Sequence, residues 1–237
     1  MKVTLISHTP DAVNLLLFTK STRLNLSPGL MGEIRAWPEE KKMQELEYVS
    51  NTIPSSWEFI DYTFLVEGVS RAYTHQQVRT RAASYAQQTM RVLNMGEFDY
   101  VFTDKNLESG AALGLIRSHN ELTKDVYRAL IDIGQSPEDA RGILPTNIAT
   151  NIICKFNLRT FVELAKSRTG GRTQGEYQKV INAMCDEVLK VHPWAEKFLF
   201  KHGRDYFAEI EEFAKRKFPD LKERGELLKI VDQMRKG

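Results

Sequence analysis

Apolar positions along the chain follow two different periods, and the switches between them mark its elements. EFIDYTFLVEGV has a period of two, which puts Ile60, Tyr62, Phe64 and Val66 on one face of a strand. VTLIS near the start reads as a shorter strand, and TNIATNIICKF has the β-branched composition of another. Helical spacing governs much of the rest. Asp11 is placed to cap a helix through Leu17 and Thr19, and Pro38 opens the charged helix EEKKMQELEYVSN. Ser70 is placed as the N-cap of a helix through Arg79, on which Gln76 and Arg79 share a face. Arg79 and Arg81 share a face only where the chain turns extended near Thr80. QQTMRVLNM reads as a returning strand.

From Gly96 to His119 the pattern is weak. NELTKDVYRALIDIG is amphipathic, with Val126, Leu130 and Ile133 on one side. SPEDARGIL combines a cap with proline at the first helical position, and Asn157 is placed to cap LRTFVELAK. GEYQKVINAMCDEVLKV is a long amphipathic helix, and PWAEKFLFKHG and the C-terminal stretch are helical as well. These elements predict an α+β protein, mostly helical, with a small antiparallel sheet in a single domain over residues 1–237.

The 237 residues suffice for one sizeable core, and 42% hydrophobic with 27% charged content is that of a globular chain. A net charge of +2 argues against a general nucleic-acid binder, so any positive site is made locally. Cys154 and Cys185 have no metal spacing and form no disulfide framework, which reads as intracellular thiols. MKVTLISHTPDAVNLLLF carries no signal-peptide cleavage site and no run long enough to span a bilayer. A cytoplasmic protein without a membrane partner is expected. His75 and His192 read as structural or surface residues, and Trp37, Trp57 and Trp194 as core or interface residues.

One stretch has unusual chemistry. THQQVRTRAASYAQQTMRV, Thr74 to Val92, is rich in arginine and glutamine, and no acid occurs from Gly68 to Gly96. Arg71, Arg79, Arg81 and Arg91 gather there, with Arg159, Arg168 and Arg172 later in the chain. Guanidinium forks suit phosphate and carboxylate, and Ala82, Ala83, Ser84 and Ala86 leave room beside them. A solvated face whose arginines pair with acids elsewhere explains the same composition.

RTRAASYAQQTMR resembles the signature of flavin-dependent thymidylate synthases: Arg-His-Arg, two residues, Ser, then Asn-Glu-x-Ser-x-Arg. Arg79, Arg81, Ser84 and Arg91 stand in register, and Thr89 keeps the hydroxyl of the second Ser. SSWEFIDYTFLVEGVSRAYTHQQVRTR resembles the approach to that signature, PEDARGILPTNIATNIICKFNLRTFVEL a later segment, and GEYQKVINAM with HPWAEKFL the closing helix. The resemblance runs from about Ser21 to Leu199.

It implies an α+β fold and a homotetramer with active sites between subunits. It implies FAD reduced by NADPH as the hydride source for C6 of dUMP, and methylenetetrahydrofolate as the carbon source for C5. The products are dTMP and tetrahydrofolate, and no metal is involved. Gln76 and Arg79 are implied to hold the nucleotide, and Gln87, Gln88, Thr89, Met90 and Arg91 to wrap its phosphate and sugar. Arg159 and Gln178 take the catalytic, base-facing positions. Flavin contacts fall to Arg79, Thr80, Arg81 and Gln87 in the signature, to Ser21 and Phe59 before it, and to Arg168 and Arg172 after it.

The chain also departs from the pattern. Thr80 replaces the signature His, Ala86 and Gln87 replace Asn and Glu, and Phe59 stands where many members have His. Where members carry His-Ala-Gln-x-Glu-Ile-Arg, this chain runs from Arg172 to Gln178, and the family's last Arg there helps ionise uracil N3. A glutamine amide donates and accepts, whereas arginine only donates. Two alternatives to dUMP methylation therefore stand beside it: C5 methylation or hydroxymethylation of dCMP, and a non-catalytic nucleotide-binding relative.

Overall fold

The computed structural model describes residues 1–24, 27–168, 175–199, 210, 213–214, 217–218 and 221–236. The chain divides into two compact units, Met1–Leu199 and Phe200–Gly237. In the second, a helix covers Leu221–Lys236. The first contains the sheet.

Four strands, β1 (Lys2–His8), β2 (Asp61–Ser70), β3 (Ala83–Gln87) and β4 (Ala149–Asn157), form an antiparallel sheet in the order β1-β2-β4-β3. The period of two in β2 sends Tyr62, Phe64 and Val66 into the core, with Ile60 just ahead of them. On β4, Ile152, Cys154 and Phe156 point the same way, while Asn151, Ile153 and Lys155 are exposed on the other face. Helices α1 (Ala12–Ser21), α2 (Leu30–Arg35) and α3 (Glu39–Thr52) precede β2 and add Leu16, Leu17, Ile34, Leu46 and Val49 to that core. Burying one such side chain is worth about 1.5–3 kcal/mol, so this face carries the stability. The opposite face of β3, with Ser84 and Ala86 exposed, contributes little to it.

After β2 come α4 (Arg71–Gln77), β3, α5 (Asp104–Glu108), α6 (Gly110–Asp132) and α7 (Pro137–Ala140). After β4 come α8 (Leu158–Arg168), α9 (Gly175–Val191) and α10 (Glu196–Leu199). Predicted caps are in place: the Ser70 hydroxyl accepts from the Tyr73 amide, and the Asn157 side chain accepts from the Thr160 amide at 2.9 Å. Ser136 caps α7, with Pro137 at its first position. A second, small apolar cluster of Met95, Phe98, Tyr127, Ala140 and Ile148 lies beside α6.

Several elements differ from the sequence expectation. α4 stops at Gln77, because the amides of Arg79 and Thr80 bond back to Gln76 and Gln77 as tight turns. Gln76 and Arg79 therefore do not share a helical face. The returning strand lies earlier than QQTMRVLNM. β3 ends at Gln87, and the Gln88 carbonyl that would continue the edge is taken by the Arg71 guanidinium at 2.6 Å. Asp11 precedes α1 but does not cap it by its side chain. Its backbone is left-handed (φ 54°), and its carboxylate accepts from Asn14 and Arg35 instead.

α6 begins at Gly110 rather than near Asn120, capped by Ser109. Its buried residues are Asn120, Thr123 and Tyr127, whereas Val126 and Ile133 face outward. The amphipathic pattern is present but its apolar side divides: Leu130 packs against the small cluster that contains Tyr127, while Val126 and Ile133 are exposed. In PWAEKFLFKHG, a 3-10 turn at Pro193–Ala195 leads into α10, and residues from Phe200 to Gly203 lie outside the described set.

Candidate active site

The basic stretch folds around β3, which separates its charges into two groups. The first group lies where β3 ends and β4 begins. Arg71 is the first residue of α4. Its amide donates to the Ile148 carbonyl at 3.1 Å, and its guanidinium donates to the Gln88 carbonyl. The guanidinium is half-buried, forms no ion pair among the described residues, and has a buried Nε without a partner among them. Burial, and then the charge of Arg141, lower its pKa from the ordinary arginine value. Beside it, the Thr74 hydroxyl donates to the Arg71 carbonyl and accepts from the Gln87 amide at 2.8 Å.

Gln88 is fixed from the sheet as well. A bulge in β2 puts Gly68 in a left-handed conformation (φ 65°), and its amide donates to the Asn151 side chain at 3.0 Å. Asn151 in turn donates to the Gln88 side chain at 3.3 Å. Thr89 accepts from the Arg91 amide, so this turn is built to place Arg91. Arg91 then reaches Glu138 at 3.0 Å, and Arg141 reaches the other oxygen of the same carboxylate at 3.8 Å. Arg91 and Arg141 thus share a single acid, and Arg71, which feels the charge of Arg141, has none among the described residues. A guanidinium cluster with excess positive charge and one orphaned donor, beside an exposed turn, suits a phosphate dianion.

The second group lies at the other end of β3, roughly 15 Å away by strand rise. The turn from Val78 to Ala82 carries Arg79, Thr80 and Arg81, both arginines being exposed and without ion pairs among the described residues. Tyr85 underlies it. Its hydroxyl donates to the Gln77 carbonyl at 2.8 Å, with the Thr80 carbonyl also in reach at 2.9 Å. The Tyr73 hydroxyl donates to the Gln77 side chain, and the Tyr73 ring meets Tyr177 edge to face at 5.2 Å. Arg168 lies over Tyr177, 5.0 Å from its ring centre, and its Nε is buried without a partner among the described residues. Tyrosines therefore connect Arg168 to the turn holding Arg79 and Arg81. Burial pushes the Tyr85 phenol up to about 12, so it remains a donor.

The other expected residues lie elsewhere. Ser21 ends α1, and Phe59 is exposed on a pocket of about 300 Å³ lined also by Leu15, Phe18, Thr22 and Arg23. Arg159 pairs with Glu58 at 2.7 Å and Glu163 at 3.5 Å. It follows the C-terminal end of β4, so within one chain it lies at the opposite end of the strand pair from Arg91. Gln178 is half-buried on the first turn of α9, and Arg172 lies outside the described residues. Gln76 is half-buried on α4, and Met90 packs against the small cluster by α6.

Comparison with known proteins gives this geometry its context. The family model described as thymidylate synthase complementing protein matches residues 4–194. A flavin-dependent thymidylate synthase of Nitratidesulfovibrio vulgaris is 31% identical over 208 residues, covering 79% of this chain and 83% of its own. The chain belongs to the flavin-dependent thymidylate synthase family. A family relative from Geobacter sulfurreducens is 32% identical over 198 residues, covering 81% of this chain and 82% of its own. In fold, the chain is similar to thymidylate synthase X of Helicobacter pylori, crystallised with FAD and dUMP. The TM-score is 0.68 and the identity 18%, covering 85% of this chain and all of that one. The recognition and the α+β fold expected from the sequence are both met.

Two residues of the guanidinium cluster were not assigned a role from the sequence. Arg71 is visible there as part of the basic run, but only the cap at Ser70 shows that it begins a helix beside the signature turn. Arg141 lies in PEDARGILP, a segment covered by the resemblance, but nothing in the spacing connects it to Arg71 or Arg91 before the chain folds.

Proposed function

We propose that this family member methylates dUMP at C5 to give dTMP, with its nucleotide phosphate held by Arg71, Arg91 and Arg141. The observation carrying this reading is that Arg91 and Arg141 share the single acid Glu138 while Arg71, within reach of the charge of Arg141, has no acid among the described residues and an unpartnered Nε. Thr89 adds a hydroxyl and the Gln88–Arg91 turn adds amides. Gln87, held by Thr74, orients the start of that turn. Gln76 and Gln178 are the amides offered to sugar and base. Gln178 is neutral, so it orients the pyrimidine by hydrogen bonds and leaves N3 protonated.

FAD fits the other end of β3. Arg79 and Arg81 are cations without ion pairs among the described residues, and Arg168 has a buried orphan donor, as an anionic cofactor requires. Bound FAD, reduced by NADPH, supplies the hydride that reaches C6, and methylenetetrahydrofolate supplies the carbon at C5. Phe59 and Arg159 lie at the end of the sheet where β3 begins, opposite to Arg71, Arg91 and Arg141, so they join the site of the phosphate cluster only through another copy. An oligomer is supported by α6. Leu115, Leu122, Val126 and Ile133 are all exposed, and the spacings of seven, four and seven return to one helical face. That stripe runs about 27 Å at helical rise. We assign it to the contact between copies of a homotetramer. No described helix is long and apolar enough to cross a membrane, and we place the enzyme in the cytoplasm.

The test is turnover of dUMP and dCMP in parallel with NADPH, FAD and methylenetetrahydrofolate, read by product mass. Thymidylate from dUMP supports the reading. A methylated or hydroxymethylated product from dCMP alone overturns the substrate assignment, and inert but nucleotide-binding protein overturns the catalytic one.

A further inference from the structure

The N-terminus of α4 is closed in an unusual way. In a capping box, the N-cap serine accepts an amide from the third helical residue, and a Glu or Gln there returns a bond to the serine amide. Ser70 makes the first half, accepting from the Tyr73 amide at 3.0 Å. The third residue is Tyr73, which is fully buried and spends its hydroxyl on Gln77, so it cannot make the second half. Glu176 on α9 supplies that half from 106 residues away. One carboxylate oxygen accepts the Ser70 amide at 2.7 Å, and the other accepts the Ser70 hydroxyl at 2.5 Å. Because the hydroxyl hydrogen goes to Glu176, its oxygen is held toward the Tyr73 amide.

Arg71 is the next residue, so its root is fixed by the same clamp. From there its guanidinium bonds the Gln88 carbonyl and leaves Nε unpartnered. Glu176 also stands two residues before Gln178, on the first turn of α9, where a carboxylate suits the helix dipole. A single side chain therefore joins the element that starts with the phosphate-facing arginine to the one that carries the base-facing amide.

We propose that Glu176 is a positioning residue for nucleotide binding, acting through Ser70 to hold Arg71 against the phosphate turn and in register with Gln178. The proposal rests on the reading that Arg71, Arg91 and Arg141 hold the nucleotide phosphate. The full-length chain is compared as wild type, Glu176→Ala, Glu176→Gln and Ser70→Ala, with dUMP and deoxyuridine binding measured by calorimetry and turnover at saturating dUMP. Glu176→Ala is expected to raise the dUMP Kd and KM about tenfold or more, with kcat kept within about twofold, as for lost uniform binding. Glu176→Gln restores most of the affinity, since an amide can still accept the Ser70 amide and donate to its hydroxyl. Ser70→Ala falls between the two. Deoxyuridine, which lacks the phosphate, loses less than dUMP in every variant.

Equal losses for dUMP and deoxyuridine, or a fall in kcat at unchanged KM, overturn the proposal. So does unchanged dUMP affinity in Glu176→Ala. Should that variant not fold, Ser70→Ala and Glu176→Gln decide by the same comparison. Wild-type protein that ignores dUMP sinks the functional reading itself, whereas wild-type binding with unaffected variants sinks only the role of Glu176.

Discussion

Replacing Arg71 by Met separates binding from stability, because only binding should respond strongly. The side chain is half-buried with no ion pair among the described residues, its pKa is lowered mainly by burial, and Arg141 adds like charge nearby. Methionine keeps a straight stem that fills most of the same space. It loses the bond to the Gln88 carbonyl, worth about 1 kcal/mol, and relieves a desolvated charge of similar cost. Thermal unfolding should therefore move by less than about 4 °C in either direction. A charge-assisted bond to phosphate is worth about 1.5–3 kcal/mol, so the dUMP Kd should rise roughly 10- to 150-fold. The assay is calorimetric titration of wild type and variant at two salt concentrations, with a melting curve for each. The variant should also show a weaker salt dependence, since one phosphate contact is gone. Unchanged dUMP affinity would refute the assignment of Arg71, and a parallel collapse of the melting temperature would make it a structural residue.

Tyr85→Phe removes the hydroxyl bonded to Gln77 and Thr80. It should cost about 1–2 kcal/mol of stability and weaken flavin binding, read by a melting curve and by flavin fluorescence titration. Intact flavin affinity would show that the turn does not need this anchor. Leu122→Glu together with Ile133→Glu puts charge on the α6 stripe and should reduce the oligomer to smaller species by light scattering. Unchanged mass would assign the stripe elsewhere. His192 is buried, its Nδ1 lies 3.0 Å from the Tyr62 hydroxyl, and burial pulls its pKa down to about 4. Its folded pKa is below the unfolded value, so stability is full above about pH 6.5 and falls as pH drops toward 4. His192→Gln should flatten that fall in an equilibrium unfolding series, and an identical pH profile would count against it.

Much of the fold was legible because local chemistry and burial agree in those places. Tyr62, Phe64 and Val66 alternate in sequence and are buried in the structure. Ser70, Ser136 and Asn157 cap the helices that their positions predict. The failures have a common physical cause, namely tertiary partners that one segment cannot reveal. α4 ends early because its last turn tightens, with Tyr85 taking the Gln77 and Thr80 carbonyls, and β3 ends where Arg71 takes the Gln88 carbonyl. The first half of α6 was missed because Ala, Gly and Ser between Gly110 and His119 give no strong period. Its apolar side was visible, but its direction was not, since the period shows a stripe and not what faces it. The site follows the same rule. The signature located Arg79, Arg81 and Arg91, while Arg141 and the clamp from Glu176 exist only once distant segments meet.

The most direct measurement is a crystal structure of the chain with dUMP and FAD. The account predicts the nucleotide phosphate within hydrogen-bond distance of Arg71, Arg91 and Arg141, with the Thr89 hydroxyl beside it and the flavin toward Arg79 and Arg81. A phosphate bound away from Arg71 and Arg141, with Arg91 still paired to Glu138, would contradict it.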